Sequence, residues 1–272
     1  MITYNADYVS ACIAENYEGR VMQVFNKAIN VLGNGPLWII GPSRGPQPLG
    51  ITLSFLPDSR KGDRVLKIGS TVILGEKYKI DLSNAKAWST SDLKLSHVDL
   101  DLYNEVVLWS RRHILSPVYV DALTNGGHLL DSLDQFVIDR LRGLVFDALD
   151  GNGFEKAKGL IGLGGGLTPA GDDALVGMLA SLKGSEHFQR LAEIVRGNVK
   201  RTNWISQGYL GCAARGEFGI EVASLIMACE YKNNLETSIR AISRIGHSSG
   251  TFFMLGFIGG LSIRMPFSPL SR

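Results

Sequence analysis

Cysteine is scarce in this chain. Cys12, Cys212 and Cys229 are odd in number and lack the paired spacing of a zinc site, which excludes a disulfide framework or a zinc knuckle. Reduced thiols in a cytoplasmic protein are the expectation. A long apolar run is missing as well. The longest candidate, residues 252–263, falls short of the roughly 20 residues a bilayer requires, is rich in glycine, and reads as a buried helix. The opening residues, MITYNADYVSACIAEN, hold acidic groups and no basic leader, so no secretory signal is expected. Excess charge of one sign is absent: the formal net charge is +2 and the basic residues are spread along the chain, which argues against a nucleic-acid-binding face. With 45% hydrophobic and 20% charged residues in 272, the composition is that of a folded globular protein.

What is present changes character along the chain. The first third reads as β-structure. Residues 21–25, 37–40, 51–56, 65–74 and 77–82 are short apolar or alternating runs, punctuated by Asn34-Gly35-Pro36, the proline-rich loop 41–48 and Gly75-Glu76. Asn26 and Asn30 read as turn-ordering residues. Helical periodicity begins near residue 99, and Pro117 is expected to stop the first helix. Further helices are predicted over 131–149, 169–183, 186–199, 203–214, 217–231, 235–244 and 249–263. The fold class is therefore α+β: an N-terminal antiparallel β-sheet or small barrel over residues 1–98, then a mostly α-helical half over 99–272 carrying two glycine-rich loops. A faint internal repeat links those loops. Setting Gly171 on Gly250 brings Gly177 onto Gly256 and Leu182 onto Leu261, which would relate two helix N-termini by a pseudo-twofold axis.

The first loop, Gly162-Leu163-Gly164-Gly165-Gly166-Leu167-Thr168-Pro169-Ala170-Gly171-Asp172-Asp173, carries most of the chemistry. Gly164, Gly165 and Gly166 allow backbone angles closed to other residues and let a ligand approach the main chain. Thr168 reads as an N-cap with Pro169 in the first helical position, leaving free N–H groups and a positive dipole end to meet an anion. Asp172 and Asp173 follow. Neighbouring residues on a helix point about 100° apart, so one carboxylate faces the anion and the other is left to hold Mg²⁺ or a neighbouring helix. A purely structural corner is the competing reading, since carboxylates in a first helical turn gain about 0.3–1 kcal/mol from the dipole. Against it, Gly171 inside that turn costs about 0.5–1 kcal/mol relative to alanine.

The second loop, Gly246-His247-Ser248-Ser249-Gly250, opens the last helix. Ser248 or Ser249 can cap it, and His247 is a candidate acid, base or cationic clamp, or a cation closing the preceding helix. The candidate catalytic residues are thus Asp172, Asp173 and His247. The candidate anion-binding residues are Gly164, Gly165, Gly166, Thr168, Ser248, Ser249 and Gly250. No protein-held metal is assigned, and Mg²⁺ is the one cofactor left open. Arg201 and Arg215 are candidate clamps for a bound anion, with a solvated surface role as the alternative, and Thr202 reads as the cap of the helix that follows it.

Gly-Leu-Thr-Pro-Ala-Gly-Asp-Asp-x-Leu-x-Gly (166–177), with Val-Phe-Asn-Lys-Ala-Ile-Asn (24–30) and Gly-His-Ser-Ser-Gly (246–250), resembles a bacterial family once classed as a domain of unknown function. That family is associated with the AllH-like subunit of oxamate carbamoyltransferase. The resemblance implies a role in purine or allantoin breakdown, exchanging a carbamoyl group between oxalurate and phosphate to give oxamate and carbamoyl phosphate, alongside other transferase subunits. It assigns no catalytic residues. The bottom-up reading fits, because these substrates are small anions suited to helix N-termini. A small anionic substrate or phosphate, an oligomeric state, and neither membrane nor nucleic-acid partners are the expectations. Two other readings stand beside it: a non-catalytic anion-sensing scaffold that docks a catalytic partner, and a hydrolase using Ser248 and His247, since Gly246-His247-Ser248-Ser249-Gly250 fits Gly-x-Ser-x-Gly.

Overall fold

A computed structural model describes residues 1–35, 37–41, 45–128 and 131–265. Pro36 and residues 42–44, within the turn and the proline-rich loop expected from sequence, lie outside the described residues. The chain forms two compact units, Met1–Thr90 with Glu217–Ile220, and Ser91–Gly216 with Glu221–Arg272.

The first unit is a closed barrel. Its strands are β1 (Ile2–Ser10), β2 (Asn16–Phe25), β3 (Ala28–Gly33), β4 (Trp38–Gly41), β5 (Gly50–Leu53), β6 (Arg64–Ile68), β7 (Thr71–Leu74) and β8 (Tyr78–Asp81), with a short β9 (Lys86–Trp88) beside β1. The order β5-β4-β3-β2-β6-β7-β8-β1 closes through a β1–β5 pairing. The barrel alternative thus holds, and closure leaves its eight strands no free edge. Six of the eight ring pairings are antiparallel, whereas β4–β5 and β1–β8 are parallel. Alternation on β2 buries Tyr17, Gly19 and Val21. Tyr17 stacks on Trp38 at 3.9 Å between ring centroids, among Ile29, Val31, Ile40, Ile51, Val65 and Ile80.

Several strand expectations change. The run 65–74 is two strands, because Gly69 at φ +52° turns the chain between β6 and β7. Asn26 lies in the two-residue turn between β2 and β3, as read, but Asn30 lies within β3. Residues 217–219 belong to the barrel unit instead of opening a helix. Glu217 accepts hydrogen bonds from Ser89 Oγ and Thr90 N, both at 2.7 Å, and Phe218 O accepts one from Trp88 Nε1 at 2.8 Å.

The second unit contains, among the described residues, α1 (Leu100–His113), α2 (Pro117–Asn125), α3 (Ser132–Leu149), α4 (Ala170–Leu182), α5 (Glu186–Asn198), α6 (Trp204–Ala213), α7 (Ile220–Tyr231), α8 (Leu235–Ile242) and α9 (Ser249–Arg264). Asp99, Asp131 and Asn203 cap α1, α3 and α6 through their side chains. Pro117 does more than end a helix. It starts α2, where its missing N–H is no loss. Thr202 is not the cap of α6. That place is taken by Asn203, and the Thr202 hydroxyl is used elsewhere. No described helix is long and apolar enough to cross a membrane.

The centre of this unit is the pair α4–α9, both almost wholly buried. They run parallel: Thr168 meets Ser249 at one end, and Arg264 donates to Ser181 O (3.0 Å) at the other. A Cβ placed on Gly177 would lie 1.9 Å from Phe253 O, and one on Gly256 would lie 1.8 Å from Ala174 O. These contacts are reciprocal under the 79-residue offset of the sequence repeat, which carries Ala174 onto Phe253 and Gly177 onto Gly256. Gly256→Ala therefore forces the two backbones apart and is expected to destabilise the protein by about 3 kcal/mol, the upper part of the overpacking range. Gly165→Ala, where an added Cβ meets nothing within 4 Å, should be close to neutral. Denaturant unfolding of the two variants measures the contrast.

Candidate functional site

The glycine-rich loop folds back on the start of α4. Gly162, Gly164 and Gly166 all have positive φ, at 79°, 114° and 87°. Gly162 and Gly164 pack closely, an added Cβ lying 2.7 Å from Arg201 O and from Ala170 N respectively, while Gly165 and Gly166 are exposed. The cap differs from expectation. Pro169 occupies the N-cap position of α4 without a side-chain hydrogen bond, and Thr168 is turned toward the other loop. The first-turn N–H groups are also less free than expected. Gly171 N donates to Leu163 O at 2.8 Å, and Asp172 N and Asp173 N both donate to Pro169 O. Among the described residues, Ala170 N–H on α4 and Ser249 and Thr251 N–H on α9 remain without a partner.

The two aspartates diverge, as helical geometry requires. Asp172 is 1% exposed and turns inward. Its carboxylate accepts from Gly162 N (2.8 Å), Thr202 Oγ1 (2.5 Å) and Ser206 Oγ (2.6 Å), tying the loop, α4 and the start of α6 together. Burial raises its pKa, against the lowering effect of these three donors. It is the carboxylate that holds a neighbouring helix, and its oxygens are committed to protein donors. Among the described residues, no group of three or more His, Cys, Asp or Glu could hold a metal ion.

Asp173 points to the gap between the helix N-termini and is only half-buried. Thr168 Oγ1 donates to its Oδ2 at 3.3 Å and lies 3.0 Å from Ser249 Oγ. Desolvation pushes the Asp173 pKa up to about 7; the Ser249 and Thr168 hydroxyls oppose that rise, and the charge of Asp172 adds to it. A carboxyl poised near neutrality, beside two hydroxyls and the positive ends of two helices, can give or take a proton at physiological pH. Tyr209, on α6, senses the same field. Burial raises its pKa to about 12, with the charges of Cys212, Asp173 and Glu221 adding.

The structure thus brings Thr168, Asp173 and Ser249 together. Gly250 anchors the second loop, its N–H donating to Ile245 O at 3.2 Å and its missing Cβ making room for Ile242 O. Ser248 is exposed at the N-cap of α9 and makes no side-chain capping bond. His247 is exposed and has no hydrogen bond among the described residues. The segment before this loop is α8, not a strand, so Gly246-His247-Ser248-Ser249-Gly250 lacks the strand-to-helix turn of a hydrolase nucleophile elbow. Arg201 and Arg215 are exposed, and neither bonds to the aspartates. Sequence reasoning missed the inward partners of Asp172. The sequence shows only two hydroxyls four residues apart, Thr202 just before the α6 cap and Ser206 in its first turn, too common a pattern to single them out.

The parallel helix pair thus brings both N-termini to one protonatable carboxylate. Comparison with known families matches residues 160–261 to the model described as oxamate carbamoyltransferase subunit AllH. That span, just over a third of the chain, takes in both loops and the helices between them, so the resemblance read from the motifs holds where the site is built. No solved structure matches the chain.

Two outcomes test this geometry. Asp172→Ala leaves three donors without an acceptor and is expected to destabilise the protein by at least about 2–3 kcal/mol in urea unfolding. Asp173 holds its proton more tightly folded than unfolded, so its stabilising contribution, complete below pH 4, is lost as pH rises through about 7. Asp172 shares that sign. Melting temperatures between pH 4 and 8 should therefore fall less steeply with pH in Asp173→Asn than in the wild type.

Proposed function

We propose that this chain is the small-anion-binding subunit of a carbamoyl transferase converting oxalurate and phosphate to oxamate and carbamoyl phosphate in purine or allantoin breakdown. The reading rests on the family match over residues 160–261 together with one structural observation, the meeting of Thr168, Asp173 and Ser249 at two parallel helix N-termini. A phosphate oxygen attacks the carbamoyl carbon, forming the new C–O bond. The unpaired N–H groups of Ala170, Ser249 and Thr251 face the developing oxyanion. As the C–N bond breaks, protonated Asp173 supplies the proton that oxamate nitrogen needs, and regains one from the attacking phosphate. His247, exposed beside Ser249, offers a ring N–H to the bound anion. The exposed Gly165-Gly166-Leu167 tip of the loop, with Leu167 50% exposed, suits contact with another transferase subunit.

Calorimetric titration of the purified chain with carbamoyl phosphate, phosphate, oxamate and oxalurate tests the binding half. Binding of oxamate and oxalurate, whose charge is constant over this range, should be tighter at pH 6 than at pH 8 in the wild type, because a protonated Asp173 does not repel the anion, and should lose that dependence in Asp173→Asn. In the assembled transferase, Asp173→Asn should lower turnover at least about 100-fold, the lower end of general acid–base contributions. Binding of none of the four anions would remove the anion-site reading. Unchanged turnover in Asp173→Asn, with binding intact, would leave a non-catalytic scaffold subunit that senses the anion and docks a catalytic partner.

A further inference from the structure

We propose that the barrel unit holds a second small-anion site, floored by Lys67, that takes a carboxylate monoanion with a short apolar body. The argument begins with strand alternation. On β6 the buried positions are Val65 and Lys67, so a lysine shares the inward face of the barrel with a core valine and is only 6% exposed. Its neighbours across the ladder are Tyr17 on β2 and Val72 on β7, neither of them a carboxylate. An ammonium has three donors. Lys67 spends one on Glu15 O at 2.7 Å and makes no salt bridge among the described residues. Glu15 contributes only its nearby charge, which favours the ammonium, against a desolvation that lowers the lysine pKa. The ammonium's two remaining donors are left for water or for a ligand in the cleft that the lysine lines.

The surroundings supply the room. Lys67 opens on a cleft of about 370 Å³ lined also by Val9, Ser10, Ile13, Glu15, Ser70 and Leu82, within the size range of small-molecule sites, which often lie at barrel mouths. Ser10 Oγ is occupied, donating to Pro48 O at 2.6 Å and accepting from Cys12 N. Ser70, exposed in the turn between β6 and β7, has no hydroxyl partner among the described residues and is the second donor for a bound carboxylate. Val9, Ile13 and Leu82 provide an apolar wall for a short alkyl body. A single ammonium facing the charge of Glu15 suits a monoanion better than a dianion.

The test uses the full chain and sodium propionate as the probe, followed by calorimetry and by ¹⁵N-lysine ammonium resonances. Propionate should bind the wild type and shift the Lys67 signal. Lys67→Met and Ser70→Trp, the second occluding the cleft without touching the lysine, should each weaken binding at least tenfold. Should Lys67→Met fail to fold, Ser70→Trp and the ammonium shift carry the test. Equal isotherms in the three proteins, or a Lys67 signal that does not move, overturn the proposal. A Lys67 shift that persists at full size in Ser70→Trp would place the ligand outside the cleft and overturn it as well. Inorganic phosphate at pH 8 binding Lys67 as tightly as propionate would overturn the monoanion assignment.

Discussion

Two helices held together through missing side chains set the terms for the helical unit. Gly177 and Gly256 let the backbone of each helix in the α4–α9 pair lie against a carbonyl of the other, a separation that even a methyl group would prevent. Because the contact is backbone to backbone, it leaves little freedom to slide or rotate. That rigidity brings the loops before each helix to the same place, so that Thr168 and Ser249, 81 positions apart in the chain, sit within hydrogen-bonding distance.

Parallel packing carries an electrostatic penalty, since the positive ends of both dipoles lie together and so do the negative ends. The chain answers at each end with a charge of the right sign. At the C-terminal end, Arg264 donates to the carbonyls of Ser181 and Leu95. At the N-terminal end stand Asp172 and Asp173, and they divide the work. Asp172 is saturated by Gly162, Thr202 and Ser206 and fastens the loop to α6. Asp173 has fewer donors to oppose its desolvation and keeps a proton to about pH 7. Two adjacent residues of one helix thus meet different sets of donors.

Much of this was legible residue by residue. The glycine run, the Thr-Pro start and the paired aspartates marked the loop, and the match of Gly171, Gly177 and Leu182 with Gly250, Gly256 and Leu261 anticipated the symmetry of the α4–α9 contact. The failures share a cause: a distant partner outbid the local preference. Thr168 and Thr202 both read as caps, but their hydroxyls serve Asp173 and Asp172 across the fold. Glu217 looked like a helix residue and is held by Ser89 and Thr90. β1 was missed because Ile2–Ser10 is largely exposed at its start and only intermittently apolar, its strand state resting on pairings with β5 and β8.

Sequence by itself determined the α+β division, the positions of most helices and the place of the glycine-rich loops, because periodicity, glycine and proline act through local backbone geometry. Which aspartate turns inward, which N–H groups stay unpaired, that the barrel closes through β1 and β5, and that a lysine faces its interior were decided only by tertiary structure. Those outcomes depend on burial and on partners far away in the chain, and both desolvation and hydrogen-bond competition exist only once the packing is complete.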